Sequence, residues 1–124
     1  MATSSRPVKI QSFKDLEIWQ RGIGLTELIY DATKLFPKEE LYSLVAQLRR
    51  TAISIPSNIA EGFGRRHNNE YRQFLHVSLG SCAELITQLV IAERLEYIDK
   101  NLAEKLTGEA DEISKMIMAL VKKL

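Results

Sequence analysis

Between Arg49 and Arg72 the chain reads RRTAISIPSNIAEGFGRRHNNEYR, five arginines and His67 against two glutamates. Guanidinium forks match phosphate oxygens, and His67, Tyr71 or Phe63 offers a flat ring on which an unpaired base can stack. Arg49, Arg50, Arg65, Arg66, His67 and Arg72 are therefore the candidate nucleic-acid contacts. These residues also have a plainer use, which for a single chain is the favoured one. Arg49 and Arg50 can form pairs within or between subunits, and Arg65 and Arg66 can be a solvated turn.

Catalytic chemistry has less to stand on. Glu61 and Glu84 could form a carboxylate pair, because both fall on helices that an antiparallel arrangement would bring near each other. Carboxylates at the inside of a helical bundle are more often neutralised by hydrogen bonds or arginine. Ser57, Asn58, Glu61, Ser81 and Glu84 accordingly read as a structural polar network, with Arg49, Arg50 and Ser78 as further partners, and Asn58 and Glu61 are expected to be at least partly buried. A di-iron bundle site needs Glu-x-x-His steps, and neither His67 nor His76 has a glutamate three residues before it. Zinc-type thiol and imidazole clusters and a phosphate-binding glycine loop are missing as well. The expectation is a protein that is not an enzyme and takes no metal and no cofactor.

The elements that position these residues follow from apolar spacing. Ser12 and Asp15 form a capping-box pattern ahead of a first helix from about Lys14 to Leu35, which Phe36-Pro37 ends. In a second helix Leu41, Leu44, Val45, Leu48, Ala52, Ile55 and Ile59 keep spacings of three and four straight through Pro56. A kinked helix is expected there, with Ser54 or Ser57 satisfying the turn that proline disrupts. Gly62 and Gly64 are expected to end it in left-handed or open conformations, with the turn near residues 63–68 and Asn68 or Asn69 as the next cap. A third helix reaches about Leu95. Asp99 caps a fourth, with Leu102, Leu106, Ala110, Ile113, Ile117, Leu120 and Leu124 on one seam. The fold expected is all-α, an antiparallel up-down-up-down four-helix bundle over residues 12–124 behind a flexible tail of residues 1–11.

Composition narrows the partners. At 124 residues the chain is one domain, and 17 basic against 16 acidic residues leave a net charge of +1, so overall charge argues for no partner. The lone Cys82, in an apolar helical pattern, reads as a buried structural thiol. No signal-peptide pattern is seen, and no apolar run approaches the ~20 residues that span a bilayer, so the expectation is a cytoplasmic protein without membrane contact. Ile53, Phe74 and Val77 widen the apolar faces beyond one inward seam, which points to self-association or to a broad core.

Three stretches, FKDLEIWQ at 13–20, QLRRTAISIPSNIAEGFGRR at 47–66 and EYRQFLHVSLGSCAEL at 70–85, resemble the four-helix bundle family of 23S-rRNA intervening-sequence proteins. The resemblance covers nearly the whole chain from Phe13 onward. It implies an antiparallel protomer that assembles into a ring-shaped homopentamer. It also implies kinship with the accessory variability proteins of diversity-generating retroelements, which bind nucleic acid and a partner reverse transcriptase. Ser57, Asn58, Glu61, Gly62 and Arg65 occupy the family's signature turn, and Ser81 and Glu84 its polar pair on the third helix. Glu96 stands where the family often has glycine before the pair matched by Tyr97 and Ile98, so a differently shaped third connection is expected. The function expected is that of a non-enzymatic oligomeric accessory protein binding RNA or DNA; the alternative is a protein-docking module that touches no nucleic acid.

Overall fold

The computed structural model describes residues 9–124, which form four α-helices, two short 3-10 turns and no strand. They are α1, Glu17–Thr33; α2, Leu44–Phe63; α3, Asn68–Arg94; and α4, Lys100–Lys123. Each packs on the next in chain order and α4 packs back on α1, closing a bundle. Contacts that climb α1 descend α2, from Gly22 beside Pro56 through Thr26 at Ala52 to Thr33 at Arg49. Between α2 and α3, Ser54 meets Ser81 and Gly62 meets Phe74. One end of the molecule therefore holds the α2–α3 turn, the start of α1 and the last turn of α4. The other holds the α1–α2 and α3–α4 connections.

The helix ends differ from expectation where local hydrogen bonds are completed early. Ser12 and Asp15 do form a capping box, with the Lys14 N–H donating to Ser12 Oγ and the Ser12 N–H to Asp15 Oδ2. That box closes only the 3-10 turn Phe13–Asp15; Leu16 is extended, and α1 begins at Glu17 and ends at Thr33 rather than running from Lys14 to Leu35. Of the tail expected at 1–11, residues 1–8 lie outside the described residues, and the Gln11 N–H donates to Asp15. Before α2, Lys38–Glu40 forms a second 3-10 turn.

Glu40 then stands in for a missing cap. Its carboxylate accepts from Ser43 Oγ at 2.6 Å, from the Leu44 N–H at 3.3 Å and from Tyr97 Oη at 2.9 Å. The clip ties the start of α2 to the α3–α4 connection. These donors, Ser43 first, hold Glu40 below the usual carboxylate range, and the same bond raises the Tyr97 phenol. A carboxyl with a depressed native pKa stabilises the fold above its unfolded value, and that contribution is lost as pH falls through the native value. Glu40→Gln is thus expected to unfold more easily than wild type at neutral pH. The gap should close in urea titrations carried below about pH 4.5.

α3 ends in a Schellman arrangement. The Glu96 N–H donates to the Glu93 carbonyl and the Tyr97 N–H to that of Ala92, both at 2.9 Å. Glu96 takes φ 65°, the left-handed conformation that glycine adopts freely. Without the glycine, glutamate itself adopts this strained conformation. Glu96→Gly should raise unfolding free energy by about 1 kcal/mol in urea titrations.

α2 contains Pro56 and continues past it. Proline leaves the Ala52 carbonyl without its helical donor. Neither Ser54 nor Ser57 supplies one, since Ser54 Oγ donates to the Thr51 carbonyl and Ser57 faces solvent. The nearest donor is on α1: the Thr26 hydroxyl shares its one proton between the Gly22 carbonyl at 2.8 Å and that of Ala52 at 3.2 Å. Gly22 permits the approach, because a Cβ there would stand 3.2 Å from Pro56 Cβ. Around this crossing Leu25, Ile29, Leu48, Ile55, Ile59, Leu75, Leu85, Leu106, Ile113 and Ile117 are fully buried. Each such side chain stabilises by about 1.5–3 kcal/mol relative to exposure. Among the described residues α3 alone is long and apolar enough to cross a bilayer, correcting the expectation that no apolar run approaches that length; its Leu75, Cys82, Leu85, Leu89 and Ala92 are instead buried against the other helices.

Candidate nucleic-acid interface

The α2–α3 turn is set by close packing rather than by left-handed glycines. No glycine in the described residues has positive φ; Gly64 is right-handed at φ −78°, and the turn closes through the Arg65 N–H donating to the Gly62 carbonyl at 3.0 Å. Gly62 is needed for space, since a Cβ would stand 2.8 Å from Phe74 Cβ and 3.2 Å from the Tyr71 carbonyl oxygen. His67 is the extended N-cap of α3 and makes no side-chain cap, nor do Asn68 or Asn69. The first N–H groups of α3, at the positive end of its dipole, thus lie beside the arginines.

The arginines of the turn are held to different degrees. Arg65 pairs with Glu61 at 3.0 Å and lies over the Phe74 ring, 4.8 Å from its centre. Arg72 Nη2 donates to Asn69 Oδ1. Arg66 and His67 are exposed and make no side-chain hydrogen bond or ion pair among the described residues. Phe63 and Tyr71 stack edge to face on each other and are half-buried, so His67 is the ring left open to a base. Burial also pushes the Tyr71 phenol up.

Arg49 and Arg50 do not belong to this cluster. They lie about 20 Å away along α2, at a rise of ~1.5 Å per residue. Arg49 Nε donates to Thr33 Oγ1 at 2.9 Å and its guanidinium covers the Tyr30 ring at 4.4 Å, which makes it an α1–α2 fastening. Arg50 is exposed. Cations not singled out from the sequence take their place. Lys9 and Lys14 precede α1, Lys122 and Lys123 close α4, and all four are exposed at the end that carries the turn. The alternating topology itself contained this signal, because it returns both outer segments to the α2–α3 end.

The polar network is smaller than expected and differently composed. Ser57, Glu61 and Glu84 are exposed; Glu61 keeps 57% of its side chain in solvent, and among the described residues Glu84 has Gln88 as its one hydrogen-bond partner, at 3.5 Å. Glu61 lies level with Phe74, about 15 Å along the bundle from Glu84, so the two carboxylates are not brought together as a catalytic pair. Asn58, half-buried, donates to the Ser54 carbonyl of its own helix at 2.8 Å. The buried polar seam is instead Ser81 against Ser54 at 2.5 Å and Ser78 donating to the Ile55 carbonyl at 2.9 Å. Cys82 is fully buried and its thiol is pushed up by that burial. Among the described residues no group of three or more His, Cys, Asp or Glu side chains is placed to hold a metal.

Comparison with known proteins places the chain. A crystal structure of a protein of unknown function from the S23 ribosomal protein family of Bacteroides thetaiotaomicron superposes with a TM-score of 0.78 at 22% identity, covering 85% of this chain and 98% of that one. Identity that low establishes the shared fold. No curated protein matches the chain. The family model described as 23S rRNA-intervening sequence protein matches residues 14–119, from the turn before α1 into the last turns of α4. This chain belongs to the 23S rRNA-intervening sequence protein family.

Proposed function

We propose that this chain is a non-enzymatic, self-assembling accessory protein of the cytoplasm that binds RNA through the basic end of its bundle. The observation that carries the reading is the α2–α3 turn, where Arg66 and His67 stand exposed and unengaged beside Arg65, Arg72 and the uncapped start of α3. Backbone N–H groups at a helix start and flanking guanidiniums both favour a phosphate. Residues 9–21, 61–74 and 109–124, which share this end, hold nine lysines and arginines against seven carboxylates. The near-neutral total thus conceals a separation of charge along the bundle.

Self-assembly is supported by exposed apolar side chains along the helices, among them Ile23, Ile53, Val77, Val90 and Met118. The five-membered ring implied by the sequence resemblance fits the reading, since rotation repeats each turn and a modest local charge becomes a collective field. The implied kinship with retroelement accessory proteins adds a reverse transcriptase as a partner of suitable kind. Two measurements test the proposal. Light scattering should give a mass several times the 14.1 kDa protomer, and filter binding at low salt should retain a single-stranded RNA. A monomer at micromolar concentration overturns the assembly, and absence of retention overturns the RNA reading.

A further inference from the structure

The end of the bundle opposite the basic turn has contrary chemistry. α1 and α4 are fastened near the basic end, where Arg21 donates to both carboxylate oxygens of Glu109 at 3.0 and 2.9 Å. Toward the other end a groove of about 400 Å³ opens between them. Its walls are Leu28, Ala32 and Leu35 from α1 and the residues just after it, with Leu102 and Leu106 from α4, and Ile98 and Tyr97 close it. Leu35 is 89% exposed, extreme for a leucine. The Tyr97 wall is preformed, fixed by its bond to Glu40 and by the Phe36 ring 5.3 Å from its own.

Asp31 and Asp99 also line this groove. Residues 27–43 and 91–104, which build this end, hold eight carboxylates against four lysines and arginines. Such a surface repels phosphate, and it repels the same end of a second copy. It attracts a cationic partner. The apolar rows, Leu28, Ala32 and Leu35 on one side and Leu102 and Leu106 on the other, have the spacing of a slot between two helices, the form that receives the apolar face of a third.

We infer that this groove docks an amphipathic helix of another protein, leucine-like on its buried face and rich in lysine or arginine along its flanks. Leucine-type anchors replace water over Leu35 and Leu102, while the flanking cations lie against Asp31 and Asp99. The site is separate from the RNA-binding turn, so a single protomer can hold a nucleic acid at one end and a protein at the other.

The test uses two labelled helical peptides of roughly 15 residues, enough for four turns. Both have leucines at i, i+3, i+4 and i+7; one is flanked by lysines and the other by glutamates. Anisotropy titration of the full chain should show saturable binding of the lysine peptide, at least ~10-fold tighter than the glutamate peptide. Asp31→Asn with Asp99→Asn should weaken the lysine peptide about fivefold or more, and asparagine preserves the α4 cap that Asp99 makes to the Leu102 N–H at 2.8 Å. Equal binding of the two peptides by wild type, or none, overturns the inference whether or not the variant folds. If the double substitution instead lowers the assembled mass in light scattering, the occupant is a second copy and the inference is likewise overturned.

Discussion

Gly62→Ala is expected to lower unfolding free energy by about 2 kcal/mol, the largest stability loss for so small a change in this chain. The added methyl would lie 2.8 Å from Phe74 Cβ, 3.0 Å from Tyr71 Cδ1 and 3.2 Å from the Tyr71 carbonyl oxygen. Two of these are Cβ or backbone atoms, which cannot rotate aside, so α2 and α3 must separate. Gly62 has no left-handed φ, hence the effect is one of space and not of backbone conformation. Gly24→Ala supplies the contrast: nothing lies within 4 Å of a Cβ there, and alanine in a helix interior should stabilise by about 0.5–1 kcal/mol. Thermal and urea unfolding by circular dichroism measure both. If Gly62→Ala is as stable as wild type, the helices are free to part at this level and the turn is not held by their contact.

Replacing Arg65 and Arg66 by glutamine should weaken RNA binding roughly ten- to hundredfold at low salt while leaving the assembled mass unchanged. Folding should survive, because the Arg65–Glu61 pair is exposed and of i,i+4 type, which contributes about 0.3–0.5 kcal/mol. The logarithmic salt dependence should flatten by about 1.4, the share of two phosphate contacts on a single strand. Sequence preference should change little, since phosphate contacts carry no base information. Arg49→Gln is the converse control. It removes the bond to Thr33 and the cover over Tyr30, so it should cost stability and leave RNA affinity alone. Filter binding with wild type alongside reads all three proteins; a double variant that binds as tightly as wild type would show that the contacts lie elsewhere.

The core helices were legible because their apolar positions recur at three and four. Leu48, Ala52, Ile55 and Ile59 in α2 and Leu106, Ala110, Ile113 and Ile117 in α4 are the residues that become fully buried. Asp99 was legible as a cap because its chemistry acts within one turn. The polar network was misread because its members were grouped by type without regard to angular phase. Glu61 is one residue, about 100° around the helix, from Gly62 on the buried stripe, and that rotation puts it in solvent. Thr26 could not be found as the donor for Ala52, since the pairing depends on how α1 and α2 are set against each other. Likewise Glu96 accepts a left-handed φ because a local bond, from the Tyr97 N–H to the Ala92 carbonyl, and one long-range bond, from Tyr97 to Glu40, place the residues around it.

The basic end is the centre of the functional account, and the affinity of the wild-type chain for single-stranded RNA as a function of salt tests it most directly. Three turn arginines on phosphates predict a fall of log affinity against log salt with a slope near −2 for one protomer, and steeper where several protomers of an assembly engage one strand. An affinity indifferent to salt between roughly 50 and 200 mM, or no binding at the lower concentration, would contradict it.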